Sequence, residues 1–120
     1  MNLFRLFFLL GLFQLTVGCI NDSPSDINDP TIVDNATYTE NIKSIIDNNC
    51  IECHNLPPVN GAPMPLTTYE YVKQAVLERG LLDRISRAQG AQGMMPNGRT
   101  RLPQEKIDLI NQWANQGLQN

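Results

Sequence analysis

A chain of 120 residues with nine Lys and Arg against twelve Asp and Glu carries a net charge of −3 at pH 7. That is room for one small domain, acidic and without the basic stripe that a phosphate backbone requires, which argues against nucleic-acid binding. Its one histidine, His54, excludes a bis-histidine centre and an HExxH zinc site.

Residues 1–18 have the pattern of an export signal: Arg5 precedes a nearly unbroken apolar stretch from Leu6 to Leu12. The stretch is too short for a membrane span, which takes about 20 apolar residues; an uncleaved anchor helix is the alternative. The signal ends in Leu15-Thr16-Val17-Gly18-Cys19. This resembles the bacterial lipoprotein lipobox, in which a small residue precedes the cysteine that is acylated. Gly18 and Cys19 match it, whereas Thr16 stands where the motif usually has an aliphatic residue. The resemblance implies lipidation of Cys19 and a membrane anchor in the bacterial cell envelope, periplasmic or outer-membrane. The alternative, an ordinary signal peptide that contains a cysteine, leaves an unpaired thiol on an exported protein.

Residues 19–36 read as the lipidated cysteine and a flexible tether. From residue 20 onward they are rich in Asp, Asn, Ser and Pro, with neither helical nor strand period. Such a coil spans about 20–25 Å. Asn35-Ala36-Thr37 has the form of a glycosylation sequon and is a chance match in a protein of this type.

The folded part, residues 37–120, is expected to be all-α. Thr37 and Glu40 have capping-box spacing, and Ile42, Ile45 and Ile46 supply an apolar face. Residues 55–66 hold four prolines and Gly61 and are loop. Thr67 and Glu70 repeat the capping-box spacing ahead of Val72, Ala75 and Val76, and Gly80 ends that helix. Leu81, Leu82 and Ile85 suggest a further short helix. Residues 86–102, with three glycines and Pro96, form a second loop. Pro103 suits the first residue of a closing helix, whose stripe is Ile107, Ile110, Ala114 and Leu118, with Trp113 alongside.

The first helix runs into Cys50-Ile51-Glu52-Cys53-His54. CxxCH is the attachment sequence for c-type haem. The two thiols add to the haem vinyl groups, and the adjacent imidazole binds the iron from one face. Three rival readings are weaker. A structural zinc site needs four ligands; only Cys50, Cys53 and His54 are near, and Cys19 lies across the tether. A CxxC thiol oxidoreductase usually sits on a strand-loop-helix, and no strand pattern is present. A haem enzyme needs distal acid-base groups, and the single histidine is already taken by iron.

From residue 38 to 118 the chain resembles a small, single-haem, class I c-type cytochrome of bacterial lipoprotein type. The resemblance rests on CxxCH after an amphipathic helix, on Leu66-Thr67-Thr68-Tyr69-Glu70, on Met95-Pro96 and on the closing helix from Ile107 to Gly117. It implies one covalently bound haem c, with Cys50 and Cys53 as attachment points and His54 as the proximal iron ligand. It further implies a methionine on the distal side. Met95 matches the family's Met-Pro element, Met94 is the close competitor, and Met64 precedes the element that lines the haem edge. A proline carbonyl, Pro57 or Pro58, is expected to orient His54. Arg84, Arg87, Arg99 and Arg101 are candidate partners for the haem carboxylates, and Tyr69 and Trp113 are pocket candidates. The implied work is electron transfer by a monomer that meets redox proteins transiently, an electron carrier and not an enzyme. A fixed haem subunit of a larger membrane-associated dehydrogenase complex is the alternative.

Cys19→Ser is expected to move the protein from the membrane fraction of expressing cells to the soluble fraction; unchanged fractionation contradicts lipidation.

Overall fold

The computed structural model describes residues 33–120, and every regular element among them is helical. The export signal, Cys19 and most of the expected tether lie outside the described residues. A π-wound turn, Tyr38–Ile42, runs directly into α1, Lys43–Asn49; α2 is Tyr69–Glu78, α3 Leu81–Ser86 and α4 Gln104–Asn115. No helix among the described residues is long and apolar enough to cross a membrane.

The start of the first helix is built by short polar side chains. Thr37 is extended, and its hydroxyl accepts from the Glu40 amide at 3.2 Å. The reciprocal half of the expected box comes from Asn41, whose side-chain oxygen accepts from the Thr37 amide at 2.8 Å. Asn41 lies one position past the Glu40 expected for that task, in the wider π-wound turn. Ile42, Ile45 and Ile46 are buried, as their spacing implies. The Asn48 and Asn49 amides donate back to the carbonyls of Ser44 and Ile45 at 2.7 Å each.

At α2 the cap is Thr68, whose hydroxyl accepts from the Tyr71 amide at 3.4 Å. The expected Thr67 is one residue early. Gly80 follows α2 with φ +67, the left-handed conformation that lets the chain stop one helix and begin α3 at once. α3 then buries Leu81 and Ile85. Pro103 stands just outside α4 rather than as its first residue, and its carbonyl accepts from Lys106 and Ile107.

The core lies where the first of the described residues meet the C-terminal ones. Tyr38, Tyr69 and Trp113 form a three-ring cluster with centroids 5.6, 6.0 and 6.4 Å apart, within the range in which aromatic pairs attract. The tail after α4 is drawn into this cluster. Trp113 Nε1 donates to the Gln119 carbonyl and Tyr69 Oη to the Leu118 carbonyl, each at 2.7 Å, while the Tyr38 amide donates to Gln119 at 2.9 Å. Val33 and Ala36 are already part of this packing: Gln112 and Gln116 donate to the Val33 carbonyl, and the Ala36 amide donates to Gln116. The packed chain therefore reaches four residues ahead of Thr37.

One polar atom in this core has no partner. Tyr38 Oη is buried without a hydrogen bond, and burial is the main reason its pKa is raised. An unpaired buried hydroxyl costs about 1–3 kcal/mol. Tyr38→Phe is thus expected to stabilise the protein by about 1 kcal/mol, whereas Tyr69→Phe, which loses the bond to Leu118, is expected to destabilise it by a similar amount. Denaturant unfolding of the two variants checks the opposite signs.

Candidate functional site

α1 ends where the CxxCH segment begins. Cys50 caps the helix, with its amide donating to the Ile46 carbonyl at 2.8 Å. The chain then coils tightly, so that the amides of Cys53 and His54 both donate to the Cys50 carbonyl, at 3.2 and 2.9 Å. This turn sets two thiols and an imidazole close together on one stretch of backbone. Both thiols are free, and Asn60 donates to Cys53 Sγ at 3.7 Å.

The proline-rich loop folds back over the motif. The Val59 amide donates to the Cys53 carbonyl at 2.9 Å and the Leu66 amide to the His54 carbonyl at 2.8 Å. That second bond brings Met64 beside the imidazole, and His54 Nδ1 lies 2.8 Å from the Met64 carbonyl. A carbonyl only accepts, so Nδ1 carries a proton, and in the neutral imidazole Nε2 is then the nitrogen with the lone pair. The orienting carbonyl is therefore that of Met64, not Pro57 or Pro58. The loop's backbone pairing, rather than proximity in sequence, selects it.

Cys50, Cys53 and His54 open onto a cleft of about 730 Å³, a size typical of cofactor sites, about 300–1,000 Å³. Its apolar walls come from every helix but α2 and from the loops: Ile46, Leu66, Leu81, Ile85, Leu102 and Ile110. Met95 and Met64 line it as well. Met94 does not; it is buried at 5 % exposure and borders an adjoining depression with Ala91 and Gly90, which shares Asn49 and Arg99 with the cleft. Met95 is turned to the cleft by the loop's backbone, since its amide donates to the Arg84 carbonyl at 3.0 Å while that of Met94 donates to Ala91.

Of the four arginines picked out above, Arg84 and Arg99 line the cleft. Arg99 also pairs with Glu52 of the CxxCH segment. Arg87 and Arg101 are engaged elsewhere: Arg87 with Asp83 and the Gln92 carbonyl, Arg101 with the Arg87 carbonyl and Gln104. Arg79 lines the cleft and was missed in the sequence; the available signal was its position just before the Gly80 joint that brings α3 to the same wall. Tyr69 and Trp113 are not cleft residues. Their polar atoms serve the C-terminal carbonyls in the ring cluster.

The thiol environment bears on what the motif does. Burial, with the Asp47 carboxylate nearby, pushes the Cys50 thiol up to about 11, so it is almost wholly protonated at neutral pH. A thiol-disulfide enzyme needs the reverse, an attacking cysteine with lowered pKa. Nor do the described residues include a group of three or more His, Cys, Asp or Glu side chains arranged to hold a metal ion.

The residues present do fit a haem. Two thiols and an imidazole line an apolar cleft together with two thioethers, Met64 and Met95, and three guanidiniums that could meet carboxylates. No family model, curated protein or solved structure matches the chain.

Proposed function

We propose that this domain holds one haem c, bonded through Cys50 and Cys53, and that the protein is a membrane-anchored electron carrier. The observation that carries this reading is the convergence of Cys50, Cys53, His54 and Met95 on one apolar cleft. When bound, the haem would supply one-electron chemistry between a donor and an acceptor protein.

The chain's own residues do the rest. His54 offers Nε2 to the iron, and the Met64 carbonyl fixes the ring and raises its basicity. Met95 offers a soft, neutral thioether that favours the ferrous state. The aliphatic walls exclude water and lower the local dielectric, which further disfavours the more highly charged oxidised state. Arg79, Arg84 and Arg99 place positive charge at the cleft, where the haem carboxylates need it. Leu56 and Val59, exposed on the loop directly after His54, offer an apolar contact for a redox partner, suited to a small and transient interface. The lipid on Cys19 would hold the monomer at a membrane of the cell envelope, with the tether allowing it to turn between donor and acceptor.

Optical spectra of the purified protein test this reading. The oxidised form is expected to show the weak near-infrared band of sulfur bound to ferric iron. Met95→Ala removes the band. Met94→Ala leaves it in place while costing stability, about 2–5 kcal/mol for a buried methionine. Loss of the band in Met94→Ala, with retention in Met95→Ala, contradicts the assignment.

A further inference from the structure

Residues 87–103 carry Met95 and contain no regular element; α3 holds the segment that leads to the methionine. Arg84 grips it twice. Its carbonyl accepts from the Met95 amide at 3.0 Å, and its Nη1 donates to the Gly93 carbonyl at 3.1 Å. Arg87 Nη1 donates to the neighbouring Gln92 carbonyl at 2.6 Å. Arg87 is itself steered by Asp83, one turn earlier on α3, which accepts from Nε and Nη2 at 3.2 and 2.6 Å.

The two guanidiniums fill the space beside Gly93. A Cβ there would lie 2.1 Å from Arg84 Nη1 and 2.6 Å from Arg87 Nη1, too near for both to stay. Gly93 also has φ +75, in the left-handed region where glycine is favoured. Gly90 has nearly the same backbone, φ +79, yet a Cβ on it would meet nothing within 4 Å. The two glycines therefore separate backbone strain from displacement of the arginines.

We propose that Arg84 and Arg87 are positioning residues for the sixth iron ligand, clamping the loop at Gln92 and Gly93 so that the Met95 sulfur stays on the iron. The inference rests on the haem reading above, and it gives these two arginines a task other than meeting haem carboxylates. A neutral thioether competes poorly for ferric iron if closing the bond must also order a loop. Bonds that order the loop beforehand remove that cost. Arg84 is exposed and Arg87 half-buried, so each bond is modest alone; the two act on adjacent carbonyls of one short segment.

The test is a titration of the oxidised holoprotein with imidazole, which displaces the methionine, followed by the near-infrared sulfur-to-iron band. Haem attachment in each variant is checked by mass. Gly93→Ala, and separately the double variant Arg84→Gln with Arg87→Gln, are expected to lose the band at imidazole concentrations at least about fivefold lower than the parent, as follows from two lost hydrogen bonds. Gly90→Ala is expected to stay within about twofold of the parent, because it strains the backbone without touching the clamp. Parent-like titrations of both Gly93→Ala and the double variant overturn the proposal, as does an equal shift in Gly90→Ala and Gly93→Ala. If the parent carries haem but shows no band, methionine ligation itself fails and takes this inference with it. A failure confined to the variants overturns the clamp alone.

Discussion

The rest of the domain is positioned by the seal between its two ends, where the rings of Tyr38, Tyr69 and Trp113 pack and the carbonyls of Leu118 and Gln119 are taken up by donors from the same rings. This contact packs the start of the first helix, at Tyr38, against the last helix, at Trp113. Each helix then uses successive turns for two purposes. On the first, Ile42 is buried near the seal and Ile46, one turn later, faces the cleft. On α4, Trp113 belongs to the seal and Ile110, one turn earlier, faces the cleft. α1 is seven residues long, about 10 Å, so the cysteines that follow it are held at a short and rigid distance from the ring cluster. The core that joins the two ends thus also sets the CxxCH turn.

Beyond that turn, backbone hydrogen bonds replace helices as the positioning device. The proline-rich loop cannot build a helix or sheet, and its course is set by four bonds back to the motif, two at Cys53 and one each at the His54 carbonyl and the imidazole itself. The glycine-rich loop is held in the same manner by α3. Both loops are therefore specified by contacts made elsewhere in the chain: the proline-rich loop by the CxxCH turn and the glycine-rich loop by α3 and the arginine that follows it.

This division explains what was legible in the sequence. Apolar spacing at Ile42, Ile45 and Ile46, at Val72 and Ala75, and at Ile107 and Ile110 marks the helical faces that are buried, because helix period is a local property. The capping residues were read one position off, at Glu40 rather than Asn41 and at Thr67 rather than Thr68, since several short polar side chains in a row satisfy the same spacing rule. The Met64 carbonyl was not legible at all: ten residues from His54, it arrives only through the Leu66–His54 backbone bond. Tyr69 and Trp113 could be read as core aromatics, but composition says nothing of which wall they face. Arg87 and Arg101, candidate partners for haem carboxylates by sequence, are instead bonded to loop carbonyls.

Half-buried Cys50, its thiol pushed up to about 11 by burial, is poorly suited to thiol-disulfide exchange at neutral pH, and it lines an apolar cleft with the second thiol and the imidazole. The proposed covalent attachment of one haem would use that cleft and its two thiols. The intact mass of the mature chain, measured under denaturing conditions after expression in cells that attach haem to c-type cytochromes, tests this most directly. A polypeptide heavier by one haem is the predicted result. A bare polypeptide, from cells in which a control cytochrome is fully loaded, contradicts it.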